Sequence, residues 1–239
     1  MSTRQKFFLI LLYFIPIPGL PYLLRRYLWP TVDESFIEQA GYVLVQAFGR
    51  GTYADKALQH ELDELFDEDY GNLQECFRRL RNADFNPGSA NVVLARCIQR
   101  MMKINPRLVV ISQWEVMFAL CSLDRSFFSA NRHRLDCIWP EGSYFATVHV
   151  KTASKVVIER RQLDPHNGIE LAHPDMAIRA TLILWKLRLR PAIYISQIPF
   201  APDSVQLWTR NRWLWFPRET LGRLQHIVVR WVSFSPPSE

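Results

Sequence analysis

Five short apolar runs alternate with stretches whose apolar positions recur every three or four residues. Tyr42–Phe48, Leu108–Ser112, Leu135–Trp139, Gly168–Ala172 and Ala192–Ile198 read as strands. Their near-continuous hydrophobicity suits strands buried on both sides. Between them Ala90–Met102, Trp114–Leu123, Val148–Arg161 and Asp175–Leu187 read as helices. In the first of these, Val93, Leu94, Cys97, Ile98 and Met101 form the stripe of a half-buried helix. Pro174 and Asp175 suit the first turn of the last one. Strand–helix alternation predicts a three-layer α/β arrangement, an open, mostly parallel sheet with helices on both faces.

Two segments break the rhythm. Thr52–Gly88 is too long for a loop, and its apolar spacing (Leu58, Leu62, Leu65, Phe66, then Leu73, Phe77, Leu80) predicts one or two inserted helices. Ala201–Val232 holds Trp208, Trp213, Trp215 and Trp231 and is expected to be a loop followed by a terminal helix from Arg218. The pattern therefore divides the chain into a hydrophobic segment (1–30), an α/β domain (31–234, with 52–88 inserted) and a tail expected to be disordered (235–239).

The N-terminal run Phe7–Leu24 carries no charge and lies between Arg4/Lys6 and Arg25/Arg26. It reaches the lower end of a membrane-spanning length, roughly 17–25 residues. Pro16, Pro18 and Pro21 leave only Phe7–Ile15 free of helix breakers. An uncleaved anchor or an interfacial segment is the expectation, single-pass or peripheral, with basic flanks that leave orientation open. The other reading is an apolar arm packed on the domain.

Charge adds little beyond this. The formal net charge is +6, and removing Arg4, Lys6, Arg25 and Arg26 leaves +2 on the other 213 residues. Arg210, Arg212, Arg218, Arg223 and Arg230 form a second basic region, opposed by an acidic cluster from Glu61 to Asp69. Such a mixed surface argues against nucleic-acid binding as the main role. The Trp/Arg-rich stretch Trp208–Trp231 offers a protein-interaction surface instead. Cys76, Cys97, Cys121 and Cys137 form no CxxC or Cys/His pattern, so no metal site is expected and no cofactor is indicated.

In an open α/β sheet, ligands lie outside the carboxyl ends of the strands. That rule selects the candidates for chemistry. Gly49-Arg50-Gly51 follows the first strand, where glycine lets backbone approach an anion and Arg50 supplies charge. Gln113 and Trp114 follow the second. The loop after the third contributes Glu141, Tyr144 and Thr147, with Glu141 as a proton acceptor. After the fourth, His173 and Asp175 straddle Pro174, with Arg179 one turn on; a His beside a carboxylate is a general-base arrangement. Glu141, His173 and Asp175 are the catalytic candidates. Gly49, Arg50, Gly51, Gln113, Trp114, Tyr144, Thr147 and Arg179 are the ligand-binding ones. No Walker loop, GxGxxG, HExxH or GxSxG occurs.

The order of these pieces resembles the SanA/YdcF/ElyC-type Rossmann-like family of bacterial envelope proteins. Val43–Gly51 is similar to its first strand and glycine turn, and Ala90–Gln113 to its helix and second strand. Glu141 and Thr147 resemble its acidic loop, Arg179-Ala180 its Arg-Ala pair, and Arg218–Gly222 its closing segment. This chain departs from the family at Gln113-Trp114, where a glycine pair is usual, and at Met176, where a His is usual. The resemblance implies a membrane-attached domain at the bacterial inner membrane. It also implies a small polar or anionic ligand, nucleotide-like or cell-wall-precursor-like, and a link to envelope processes.

Overall fold

A computed structural model describes residues 3–14, 24–29, 31–49, 51, 62, 73–139, 147–195, 198 and 200–221. In chain order the elements are α1 (Thr3–Phe14), α2 (Arg25–Leu28), α3 (Glu34–Gln39), β1 (Tyr42–Val45), α4 (Leu73–Asn82), α5 (Ser89–Ile104), β2 (Val109–Gln113), α6 (Trp114–Leu123), α7 (Arg125–Ala130), β3 (Leu135–Ile138), α8 (Thr147–Arg160), β4 (Gly168–Ala172), α9 (Ala177–Lys186) and β5 (Ala192–Ile195). A last helical stretch, α10, covers 212–221.

The five strands form one all-parallel sheet in the order β3-β2-β1-β4-β5. β1 is central, in register with Val109–Ser112 on one side and Gly168–Leu171 on the other. The chain thus winds outward through β2 and β3, then returns to build β4 and β5 on the opposite flank of β1.

Alternation along the strands sorts the side chains into two cores. Val43, Val45, Val110, Ile169 and Leu171 face α4, α5 and α6, meeting Phe77, Leu94, Ile98 and Phe118. Tyr42, Leu44, Val109, Ile111 and Ile193 face the other way, toward α8, α9 and the N-terminal arm. The second face also holds charge. Glu170 of β4 pairs with Lys151 of α8, and both side chains are only 1% exposed. On the edge strand β3, Asp136 binds Arg161 at 2.5 Å and Arg160 at 3.3 Å, tying the end of α8 to the edge of the sheet.

Several boundaries differ from the pattern-based expectation, each for a local reason. β1 stops at Val45 rather than Phe48, because the amides of Ala47 and Phe48 are taken by side chains. Gln113 Oε1 accepts from Ala47 N at 2.8 Å, and Asn91 Oδ1 from Phe48 N at 2.9 Å. Asp175 is not in the first turn of α9; it sits in a 3-10 turn, Pro174–Met176, where its own N–H donates to His173 Nδ1 at 3.2 Å. The terminal helix begins at 212, not at Arg218. Asn211 Oδ1 accepts from Leu214 N at 3.0 Å, an N-cap that outweighs Pro217 within the helix. Within the expected insertion, α4 is a helix that buries Leu73, Cys76, Phe77 and Leu80.

The N-terminal arm packs on the domain. Leu12, Leu28 and Trp29 are buried in the second core, and Trp29 Nε1 donates to Thr181 Oγ1 of α9 at 3.1 Å. Phe7, Ile10, Leu11 and Tyr27 stay exposed. Among the described residues no helix is long and apolar enough to cross a membrane. Residues 15–23 of the apolar run lie outside the described residues.

Candidate functional site

Because the chain reverses its direction of winding at β1, the loops after β1 and β4 diverge at the strands' carboxyl ends, which is where an open α/β sheet carries its ligand crevice. The residues there are Phe48 and Gly49, which follow β1, and His173 and Asp175, which follow β4. Most of the crevice is filled by protein. The Phe48 ring stacks on the His173 imidazole with centroids 4.1 Å apart and planes 7° from parallel. Phe200 meets His173 edge-on at 4.7 Å, and Trp215 of α10 lies 5.1 Å from Phe48.

The glycine turn works differently from a ligand cradle. Asn91 holds it from α5, donating through Nδ2 to Gly49 O at 2.5 Å and Pro87 O at 2.7 Å. Gly49 has φ +75°, and an added Cβ would come within 2.9 Å of Thr209 Oγ1. Glycine is needed here because segment 201–209 packs directly on it. The close approach anticipated for an anion is made by the chain itself. Ser89 at the start of α5 is likewise occupied, donating through Oγ to Asp203 at 2.7 Å.

Charged groups line the β4 side. His173 is 4% exposed. Burial pushes its pKa down to about 4; the Asp175 carboxylate opposes that shift, and the Arg212 guanidinium adds to it. With Nδ1 accepting from Asp175 N, the neutral ring carries its proton on Nε2. Asp175 accepts from Arg212 Nε at 3.2 Å, and Arg179 pairs with Glu219 of α10 at 3.1 Å. A neutral imidazole beside the Asp175–Arg212 ion pair can hold and orient polar groups. A general-base role at neutral pH would use a weak base, given a pKa this low.

The structure thus brings Gly49, His173, Asp175 and Arg179 together at one end of the sheet. Gln113 is near them, but its side chain is committed to Ala47 N. Trp114 is not a lining residue: it is 1% exposed and stacks on Trp139 with centroids 4.9 Å apart, in the core. Gly51 binds back to Asn86, its N–H donating to Asn86 O at 3.1 Å. Arg50, Glu141 and Tyr144 lie outside the described residues. Thr147 opens α8, and its side chain also lies outside them.

Sequence reasoning missed Asn91, Phe48, Phe200, Arg212 and Trp215 as contributors, while Glu219 entered only through the closing segment of the family resemblance. Only Asn91 carried a usable signal, a polar residue on the otherwise apolar face of a helix that follows the first strand. The four cysteines form no disulfide, and no group of three or more His, Cys, Asp or Glu suited to a metal ion occurs among the described residues. Comparison with protein-family models, with curated proteins and with solved structures finds no match to this chain.

Proposed function

We propose that this chain is a Rossmann-like protein that binds a small polar or anionic ligand at the carboxyl ends of β1 and β4, in the service of cell-envelope processes. One observation carries the reading. At the point where the sheet reverses its winding, Asp175 lies beside His173 and pairs with Arg212 of α10, and Arg179 of α9 pairs with Glu219 of the same helix; His173, Asp175 and Glu219 are buried. Buried ionisable groups are costly and concentrate where ligands are handled. The ion pair between Arg179 and Glu219 joins the Arg-Ala and closing segments on which the family resemblance rests. That resemblance is also the basis for the envelope link and for a nucleotide-like or cell-wall-precursor-like ligand.

The N-terminal arm fits a peripheral membrane attachment in this reading. One side of α1 is anchored by Leu12, and Phe7, Ile10 and Leu11 are left for a lipid surface. Thermal shift and calorimetry against nucleotides, sugar nucleotides and cell-wall precursors test the ligand. The expected outcome is that at least one raises the melting temperature, in line with binding to the folded state only. Silence across the whole panel would refute the reading.

A second reading has its own support. Trp213 is 79% exposed, beside Leu214 at 46% and Leu221 at 60%. This surface carries Arg212 and Arg218 and suits a protein partner. Trp213→Ala is expected to change stability by no more than about 0.5 kcal/mol, while weakening partner capture in a pull-down. Equal capture by the variant would remove this surface from consideration.

A further inference from the structure

The closing segment, residues 200–221, packs on the carboxyl end of the sheet without belonging to it, since all five strands precede it. Its apolar contact is centred on one titratable ring. His173 lies face to face with Phe48, edge-on to Phe200, and 6.4 Å from Trp215 between ring centroids. Phe200 and Trp215 also meet Phe48, at 5.8 and 5.1 Å. On the polar side, Arg212 Nε donates to Asp175, and the same guanidinium lies 5.9 Å from the centre of the Phe200 ring. The Arg179–Glu219 and Ser89–Asp203 contacts add to the attachment, and 201–209 rests on Gly49.

This interface fits a neutral imidazole and not a charged one. In the docked state Nδ1 accepts from Asp175 N–H. A proton on that nitrogen sets N–H against N–H, in a place where the ring has almost no water to turn to. The new donor then competes with Arg212 for the Asp175 carboxylate, and Arg212 links both α10 and Phe200 to that carboxylate. We propose that protonation of His173 undocks segment 200–221, so that mild acid opens the carboxyl end of the sheet. The charged groups set against the ring are Asp175, which favours its cation, and Arg212, which opposes it. On the β1 side Ala47, Phe48 and Gly49 bring no ionisable group, and Arg179 of α9 and Glu219 of α10 are paired with each other. Undocking leaves every strand pairing intact. A helix as short as α10 does not persist alone in water, so the released segment also loses the protection of its own amides. The device needs no ligand and stands apart from the binding reading above.

Native-state hydrogen exchange of the full chain, from about pH 7 to about pH 4 and corrected for intrinsic rates, tests it. The docked ring has a pKa of about 4 against 6.5 unperturbed, and release restores the higher value. Each unit of acidification between the two therefore favours the undocked form about tenfold. The reporters are the amides of Ala201, Thr209 and Trp215, which donate within the segment, set against Leu44 and Ile111 in the sheet. In the wild type, protection of the segment should fall about tenfold per pH unit and stay below that of the sheet throughout. His173→Phe and His173→Gln take up no proton there, so protection of their segment should not change with pH. Three results would each overturn the proposal. One is a wild-type segment whose protection ignores pH. Another is a segment and sheet that exchange at one common level, since the opening would then be global. The third is an equal fall in either variant, which would assign the proton to another group.

Discussion

Lys151→Met is expected to cost about 3–5 kcal/mol of folding stability at pH 7.5, the range seen when one partner of a buried ion pair is removed. Lys151 and Glu170 are each only 1% exposed, under α8 and against the middle of the sheet. Without the ammonium, Glu170 faces a low-dielectric interior with no counter-charge. Burial already raises the Glu170 pKa, outweighing the opposing pull of Lys151. The sign of the pH effect follows. A carboxyl whose folded pKa stands above its unfolded value binds its proton more tightly when folded, so acid favours the folded state. In Lys151→Met this shift is larger, and the deficit should shrink as the pH is lowered and Glu170 becomes neutral. Adding Glu170→Leu should recover most of the loss, because an apolar pair of similar volume needs no compensation. Urea unfolding of the three proteins at two pH values decides it. A single variant as stable as the wild type, or a double variant no better than the single, would show that the pair does not carry this weight.

How much of this was written in the chain depends on how local the cause is. The strands were legible because a parallel strand covered on both faces is apolar almost throughout, as in Val109-Val110-Ile111. α6 was found at its observed limits, Trp114–Leu123, because a polar strand end leads straight into its apolar run. The charged interior was not legible. Glu170 looks like a break in an apolar strand, and nothing near it announces that its partner is Lys151, 19 residues earlier on another element.

The site divides in the same way. His173, Asp175 and Arg179 follow one strand within seven residues, so position along the chain is enough to nominate them. Their partners are not local. Phe48 comes from the far side of the sheet reversal, and Arg212, Trp215 and Glu219 from a helix that was expected only from Arg218 onward. Trp114 was misjudged because the residue after a strand end can turn either to the crevice or to the core. An indole flanked by Phe85 and Trp139 gains far more from burial in the core.

The protein should lose stability on mild acidification through His173, and this is the second large effect. Its folded pKa is about 4, against 6.5 for an unperturbed imidazole. A depressed folded value means that the unfolded chain takes up the proton first. The histidine's contribution is therefore fully present above pH 6.5 and drains away as the pH falls toward 4. A shift of this size corresponds to about 3 kcal/mol over that window. The physical cause is the stack on Phe48 and the closure by Phe200 and Trp215, which exclude the water an imidazolium needs. The charged groups facing the ring are Asp175, which favours the cation, and Arg212, which opposes it; both remain in His173→Phe, which also keeps a ring against Phe48. The difference in unfolding free energy between wild type and His173→Phe isolates the histidine. It should be constant above pH 7 and move by about 3 kcal/mol in favour of the variant by pH 4. A flat difference would mean that the imidazole is hydrated and the crevice open.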